Sequence, residues 1–173
     1  LAVISIAYVL YVASKLEKIA KFKLLSALIM VVVSTFFWAF YEQNAGSLNL
    51  FAMRNVDMHV FGLELPALSV NNFLPPAWVV VLSLFFAALW PWLNKRGWEP
   101  STPGKFAFSF IFVAIGFFTF YLACQASLDH GLIPLLAFVG GYFFIICGEM
   151  CISPVGLSMI TKLSPVNIVG LMM

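Results

Sequence analysis

Long apolar runs separated by short polar segments set the pattern of this chain. Four runs have about 18 residues or more, and they lie at residues 24–41, 67–93, 106–124 and 132–161. A helix of roughly 20 residues crosses the ~30 Å hydrocarbon core of a bilayer. The runs lack the apolar–polar alternation of a transmembrane barrel strand, so the pattern predicts four membrane-spanning helices.

The run at residues 67–93 is interrupted early by two adjacent prolines, Pro75 and Pro76. Adjacent prolines remove two backbone donors and either kink a helix or start one. We therefore expect the continuous part of this helix at residues 77–93, preceded by a bent turn.

The two ends of the chain carry shorter apolar stretches. Residues 1–14 are too few to span a bilayer, and we interpret them as the tail of a helix that starts upstream. The chain then divides into residues 1–23, which end in a basic linker, four transmembrane helices within residues 24–165, and residues 166–173, the start of a further transmembrane helix. This division indicates a piece of a longer membrane protein.

Composition supports an all-α integral membrane protein. Mean hydropathy is +1.04, 63% of residues are hydrophobic, and 9% are charged. A soluble domain carries about 25% charged residues. So few charged residues cannot cover the surface of a soluble protein, and the composition therefore excludes the soluble classes of protein.

The cations fall on alternate connectors. Eight of the nine occupy the first, third and last connectors, whereas Arg54 alone lies in the other two; the eight are Lys15, Lys18, Lys21, Lys23, Lys95, Arg96, Lys105 and Lys162. The positive-inside rule places the basic connectors in the cytoplasm. Because topology explains them, these cations do not indicate nucleic-acid binding.

Two acids stand in apolar surroundings. Glu42 directly follows the apolar residues Phe36–Tyr41, and Glu149 lies within the apolar run at residues 132–161. A carboxylate at membrane depth costs roughly 2.5–3.5 kcal/mol or more, so it is rarely kept there without a role. We interpret both as working parts of a transporter. The alternatives are a solvated interfacial acid for Glu42 and a structural ion pair for Glu149.

The sequence gives little support for a metal site or an enzymatic active site. The three cysteines, Cys124, Cys147 and Cys151, lie in apolar segments without a neighbouring histidine, so we expect no metal site. A nucleotide-binding glycine loop, a zinc-protease motif and a nucleophile elbow are missing from the sequence. We therefore expect no enzymatic activity and no cofactor other than protons as the coupling ion.

Three separate stretches resemble one family of transporters. They read FFWAFYEQNAGSLNLFAMRNVD from Phe36, NKRGWEPSTPGKFAF from Asn94 and CGEMCISPVGLSMITKLSPVNIVGLMM from Cys147. Each is similar, in the same order, to a stretch of the proton-dependent oligopeptide transporters. The chain is identified on these residues as a member of that family.

The resemblance implies a major facilitator fold, of which this chain supplies most of the C-terminal helical bundle. Residues 1–23 would be the end of an inserted lateral helix and its cytoplasmic linker, and the four spans the seventh to tenth core helices. The implied activity is proton-driven import of di- and tripeptides across the bacterial inner membrane. The implied partner is an N-terminal helical bundle, which would form the second wall of the cavity.

The resemblance also implies residue roles. Glu42 matches the family's acid for proton coupling, and Glu149 matches the acid that receives the amino terminus of the peptide. Ser153 matches a serine that lines the cavity, and Trp38 and Tyr41 match aromatic positions near the pocket.

One departure from the family concerns the span at residues 67–93. The family often has an asparagine that contacts the peptide backbone, and Pro75 stands at that position here. We expect Asn72, about one turn earlier, to substitute for it in substrate binding.

Alternative functions remain at this stage. One is a member of the same family that moves a non-peptide solute, and another is a non-transporting membrane scaffold subunit. A scaffold would not need its buried acids, so a variant of Glu149 distinguishes the two classes.

Overall fold

A computed structural model of the chain describes residues 2–15, 17–60, 62–128 and 131–163. The expected helix start at residues 166–173 lies outside the described residues. Six α-helices dominate the described residues: α1 (Ala2–Lys15), α2 (Lys18–Tyr41), α3 (Ser47–Asn55), α4 (Ala67–Lys95), α5 (Thr102–Ala126) and α6 (Leu135–Leu163). Four two-residue strands accompany them: β1 (Val56–Asp57), β2 (His59–Val60), β3 (Leu63–Glu64) and β4 (Ile133–Pro134).

Four segments of the described chain are long and apolar enough to cross a membrane. They are Lys18–Asn55, Ala67–Lys95, Thr102–Ala126 and Leu135–Leu163. This confirms the four predicted spans and an all-α, multi-pass membrane protein.

The helix ends differ from the hydropathy pattern. α2 begins at Lys18, six residues before the first apolar run, so three lysines assigned to a connector form its first turns. Lysine is a good helix former and its apolar stem lies along a helix while its ammonium reaches water. A hydropathy profile detects the apolar part of such a helix and misses the polar turns at its end.

α4 continues through its two adjacent prolines. The helix runs unbroken from Ala67 to Lys95, so the expected start of the continuous part at residue 77 is wrong. The first turns of α4 pack against α3 and α6, and such neighbours tolerate a helix that lacks two backbone donors.

The polar segment after residue 42 holds more structure than its sequence suggests. A 3₁₀ turn, Glu42–Asn44, links α2 to the short helix α3, and a hairpin of β2 and β3 turns at Gly62, whose φ is 81°. β1 pairs in parallel with β4, which joins this segment to the start of α6. Asp57, the last residue of β1, accepts hydrogen bonds from the backbone N–H and the ring of His59, and these bonds lower the pKa of Asp57.

The connector before α5 is folded onto the bundle. Lys105, which the charge pattern assigned to a connector, is 7% exposed in the first turn of α5. Its ammonium pairs with Glu99 and lies 4.4 Å from the centroid of the Trp90 ring. The pairing allows this cation to be buried against α4.

Among the described helices, α5 and α6 share the most extensive packing, and small residues allow it. A Cβ added at Gly116 of α5 would lie 2.6 Å from Cγ1 of Ile145 and 2.9 Å from the carbonyl oxygen of Gly141. A Cβ at Gly140 meets nothing within 4 Å among the described residues. Gly116 and Gly141 thus serve the close packing expected of small residues between membrane helices.

We expect Gly116→Ala to destabilise the protein and Gly140→Ala to leave it unchanged or slightly more stable. Overpacking against a backbone carbonyl costs about 1–3 kcal/mol. At Gly140 alanine contributes up to ~1 kcal/mol of helix propensity. Thermal unfolding of the detergent-solubilised protein, followed by loss of the monodisperse peak, measures both. Equal behaviour of the two variants would contradict this packing.

Candidate functional site

A tyrosine and a carboxylate from two helices meet in the middle of the bundle. Tyr41 is the last residue of α2, and Glu149 lies halfway along α6. The hydroxyl of Tyr41 donates a hydrogen bond of 2.8 Å to Oε2 of Glu149, and both side chains are half-buried. Glu149 is therefore oriented by a neighbour and remains partly accessible.

Aromatic rings hold Tyr41 in place. Phe37, one turn earlier on α2, is fully buried and stacks on the Tyr41 ring at a centroid distance of 6.1 Å. Trp38 meets the same ring edge to face at 5.2 Å. Such aromatic pairs contribute about 0.5–1.5 kcal/mol beyond their area burial, so the tyrosine hydroxyl is preorganised.

A cleft of about 340 Å³ is lined by α2, α6 and Phe106 of α5; Tyr41 and Glu149 are not among its lining residues. Its lining residues include Trp38 and Ser153, and the cleft continues between the two helices past Gly156. Ser153 stands four residues, one helical turn, beyond Glu149 on the same face of α6. The structure thus brings Trp38, Tyr41, Glu149 and Ser153 to one side of the α2–α6 pair.

The other two predicted site residues stand apart from this group. Glu42 follows Tyr41 in the 3₁₀ turn, and its side chain is exposed on this chain. Asn72 of α4 is also exposed. Glu42 is thus next in sequence to the hydrogen-bonded tyrosine, without sharing its burial.

A buried polar cluster, which sequence reasoning missed, lies two turns of α6 before Glu149. Asn71 is 0% exposed and Tyr142 is 1% exposed. Nδ2 of Asn71 donates to the carbonyl oxygen of Asn44 at 3.3 Å, to Oδ1 of Asn44 at 3.0 Å, and to Oδ1 of Asn49. The hydroxyl of Tyr142, which has a single hydrogen to donate, lies 2.6 Å from Oδ1 of Asn44 and within hydrogen-bond distance of Oδ1 of Asn71. We call these four residues the asparagine–tyrosine cluster.

Helical spacing was the signal that distinguishes Asn71 from Asn72. Pro75, Leu82 and Phe86 form the buried face of α4, and they lie four, eleven and fifteen residues after Asn71. These intervals match the i, i+4, i+7 spacing of one helix face. Asn72 falls on the neighbouring exposed face.

The described residues contain no cluster of three or more histidine, cysteine or acidic side chains that would hold a metal ion. Cys147 and Cys151 are buried one turn apart on α6, among apolar side chains. The described part of the site is therefore built from one carboxylate, hydroxyls and aromatic rings.

Known proteins match this chain over most of its length. Peptide transporter YePEPT of Yersinia enterocolitica is 31% identical over 95% of the chain, and dipeptide and tripeptide permease B of Salmonella typhimurium is 32% identical over 91%. The uncharacterized transporter YclF of Bacillus subtilis is 32% identical over 91%. The chain spans 31–32% of the length of these relatives.

Solved structures show the same arrangement of helices. A crystal structure of a mutant of the peptide transporter POT in complex with alafosfalin superposes with a TM-score of 0.86 at 29% identity. The same transporter in complex with sulfate gives 0.85 at 30%. Both superpositions cover 99% of this chain and 35% of the other. The family model described as the POT family matches residues 2–173, and the chain therefore belongs to the POT family.

Proposed function

We propose that the full-length protein is a proton-coupled symporter that imports di- and tripeptides by alternating access. The observation that carries the proposal is the half-buried carboxylate of Glu149, which Tyr41 orients in the wall of the bundle. The relatives named as peptide transporters support the substrate class. As a transporter, the protein would bind and release its solute without chemical change.

Glu149 would bind the ammonium group of the peptide. A cation that leaves water needs a buried anion with its remaining lone pairs hydrogen-bonded, and the Tyr41 bond satisfies one of them. Oε1 is not part of the Tyr41 bond. Trp38 and Ser153 would contact the peptide along the cleft, and Asn72 remains a candidate contact on α4. The peptide carboxylate would meet cations of an N-terminal bundle that forms the opposite wall.

Glu42 would carry the coupling proton. It is exposed on the turn next to Tyr41, and it would face the space between the two bundles, where it would gain and lose a proton as access alternates. An inward proton gains ~2.3 kcal/mol per 100 mV, enough to concentrate a small peptide tens of fold. Protons are then the coupling ion, and no other cofactor is required.

We place the protein in the bacterial inner membrane, with the basic connectors in the cytoplasm. The proposal follows from the distribution of the eight cations and from the bacterial sources of the relatives.

Uptake of labelled dialanine by proteoliposomes containing the full-length protein tests the function. We expect accumulation above equilibrium when an inward proton gradient is imposed, and collapse of that accumulation when a protonophore is added. Uptake that does not depend on the proton gradient would contradict proton coupling. Proton-driven uptake of another solute, without any di- or tripeptide, would show that the substrate is not a peptide.

A further inference from the structure

The asparagine–tyrosine cluster joins four elements at one buried point. Asn44 comes from the 3₁₀ turn, Asn49 from α3, Asn71 from α4 and Tyr142 from α6. Buried amide and hydroxyl groups are kept only when they are hydrogen-bonded, because a buried group without a partner loses its hydrogen bonds to water and gains none in return. The hydrogen bonds within the cluster meet this requirement. The four elements are therefore fixed to each other there.

Most of these bonds converge on Asn44. Its carbonyl oxygen accepts from Asn71, and its Oδ1 accepts from both Asn71 and Tyr142. Asn44 lies two residues after Glu42 and ends the same 3₁₀ turn. The hydrogen-bond donors Asn71 on α4 and Tyr142 on α6 thus fix the position of the 3₁₀ turn that carries Glu42.

A second hydrogen bond holds the other side of this turn. Tyr41, the residue before Glu42, is bonded to Glu149 of α6. Tyr142 and Glu149 are seven residues apart on α6, which is two turns and about 10.5 Å along the helix. Glu42 therefore lies, in sequence, between two connections to one face of the helix that carries the candidate peptide-binding acid.

We propose that Tyr142 and Asn71 are positioning residues for proton coupling, which hold the Glu42 turn in register with Glu149 on α6. The inference rests on the proposed symport function. The Asn44 connection does not use the carboxylate of Glu149, so it would hold the Glu42 turn to α6 while that carboxylate binds the peptide. Tyr142 and Asn71 act through Asn44, and their burial keeps them out of contact with substrate on this chain.

The test uses full-length protein in proteoliposomes and the variants Tyr142→Phe and Asn71→Ser. Each keeps much of the side-chain shape or polarity and removes donation to Asn44. Three quantities are measured: proton-driven dialanine uptake across a range of external pH, counterflow exchange of dialanine without a gradient, and dialanine affinity. Asn71→Ser tests the cluster from α4 if Tyr142→Phe does not fold.

We expect driven uptake to fall about tenfold, the scale of one lost buried hydrogen bond, with a shifted pH profile. Counterflow and affinity should stay within about twofold of wild type, below the ~1.4 kcal/mol of a tenfold effect. Tyr121→Phe, at an exposed tyrosine of α5, serves as the matched control and should match wild type throughout.

Three results would overturn the proposal. If driven uptake and counterflow fall together, the cluster has a purely structural role. If driven uptake is unchanged, the cluster has no role in coupling. If only the affinity for dialanine falls, the cluster contacts the substrate. Wild-type protein that exchanges dialanine but ignores the gradient would instead refute the symport function itself.

Discussion

Glu149→Gln is expected to weaken the binding of dialanine by at least about thirtyfold. Removing one charge from a buried, hydrogen-bonded ion pair costs 2–5 kcal/mol or more, and 1.4 kcal/mol corresponds to a factor of ten. Glutamine keeps the shape of the side chain and can still accept the hydrogen bond from Tyr41. The loss therefore reports on the charge and not on the packing of α6.

Isothermal titration of the detergent-solubilised full-length protein measures this effect. Glu64→Gln is the matched control, because Glu64 is an exposed acid in the β2–β3 hairpin, away from the cleft. Wild-type affinity in Glu149→Gln would remove this residue from substrate binding and leave the structural alternative for its burial.

Glu42→Gln is expected to reduce proton-driven accumulation of dialanine to the background of protein-free liposomes. Glutamine is similar in size and hydrogen bonding but cannot take up or release a proton at this site. Counterflow exchange should persist, because exchange of bound peptide across the membrane needs no net movement of protons. The two assays together separate the loss of coupling from the loss of transport.

Glu17→Gln provides the control for this pair of assays, since Glu17 is an exposed acid that precedes α2. Accumulation by Glu42→Gln at the wild-type level would show that the coupling proton is carried elsewhere. A loss of counterflow together with accumulation would indicate a structural role for the carboxylate of Glu42.

Hydropathy was sufficient to predict the membrane-spanning helices of this chain, because a bilayer requires long apolar helices. It was insufficient at the ends and interruptions of the helices. The lysines of the first turns of α2 are polar yet helical, and Pro75 and Pro76 lie inside α4 because neighbouring helices support its backbone. These features depend on contacts between segments, which a hydropathy profile does not contain.

The site was predicted in part by the same logic. An acid at membrane depth is visible in the sequence, and so Glu42 and Glu149 were identified as candidates. The hydrogen bond between Tyr41 and Glu149 joins residues 108 positions apart, and no local pattern indicates it. The buried position of Asn71 follows from the helical spacing of α4, whereas its bonds to Asn44 and Tyr142 depend on the packing of three elements.

The most direct test compares dialanine with N-acetyl-dialanine, which lacks the cationic amine, on wild-type protein and on Glu149→Gln. A double-mutant cycle of this kind isolates the interaction between one charge on the protein and one on the ligand. We expect acetylation to weaken binding to wild-type protein by tens of fold, and to have little further effect on Glu149→Gln. Acetylation that weakens binding equally in both proteins would contradict a contact between Glu149 and the peptide amino terminus.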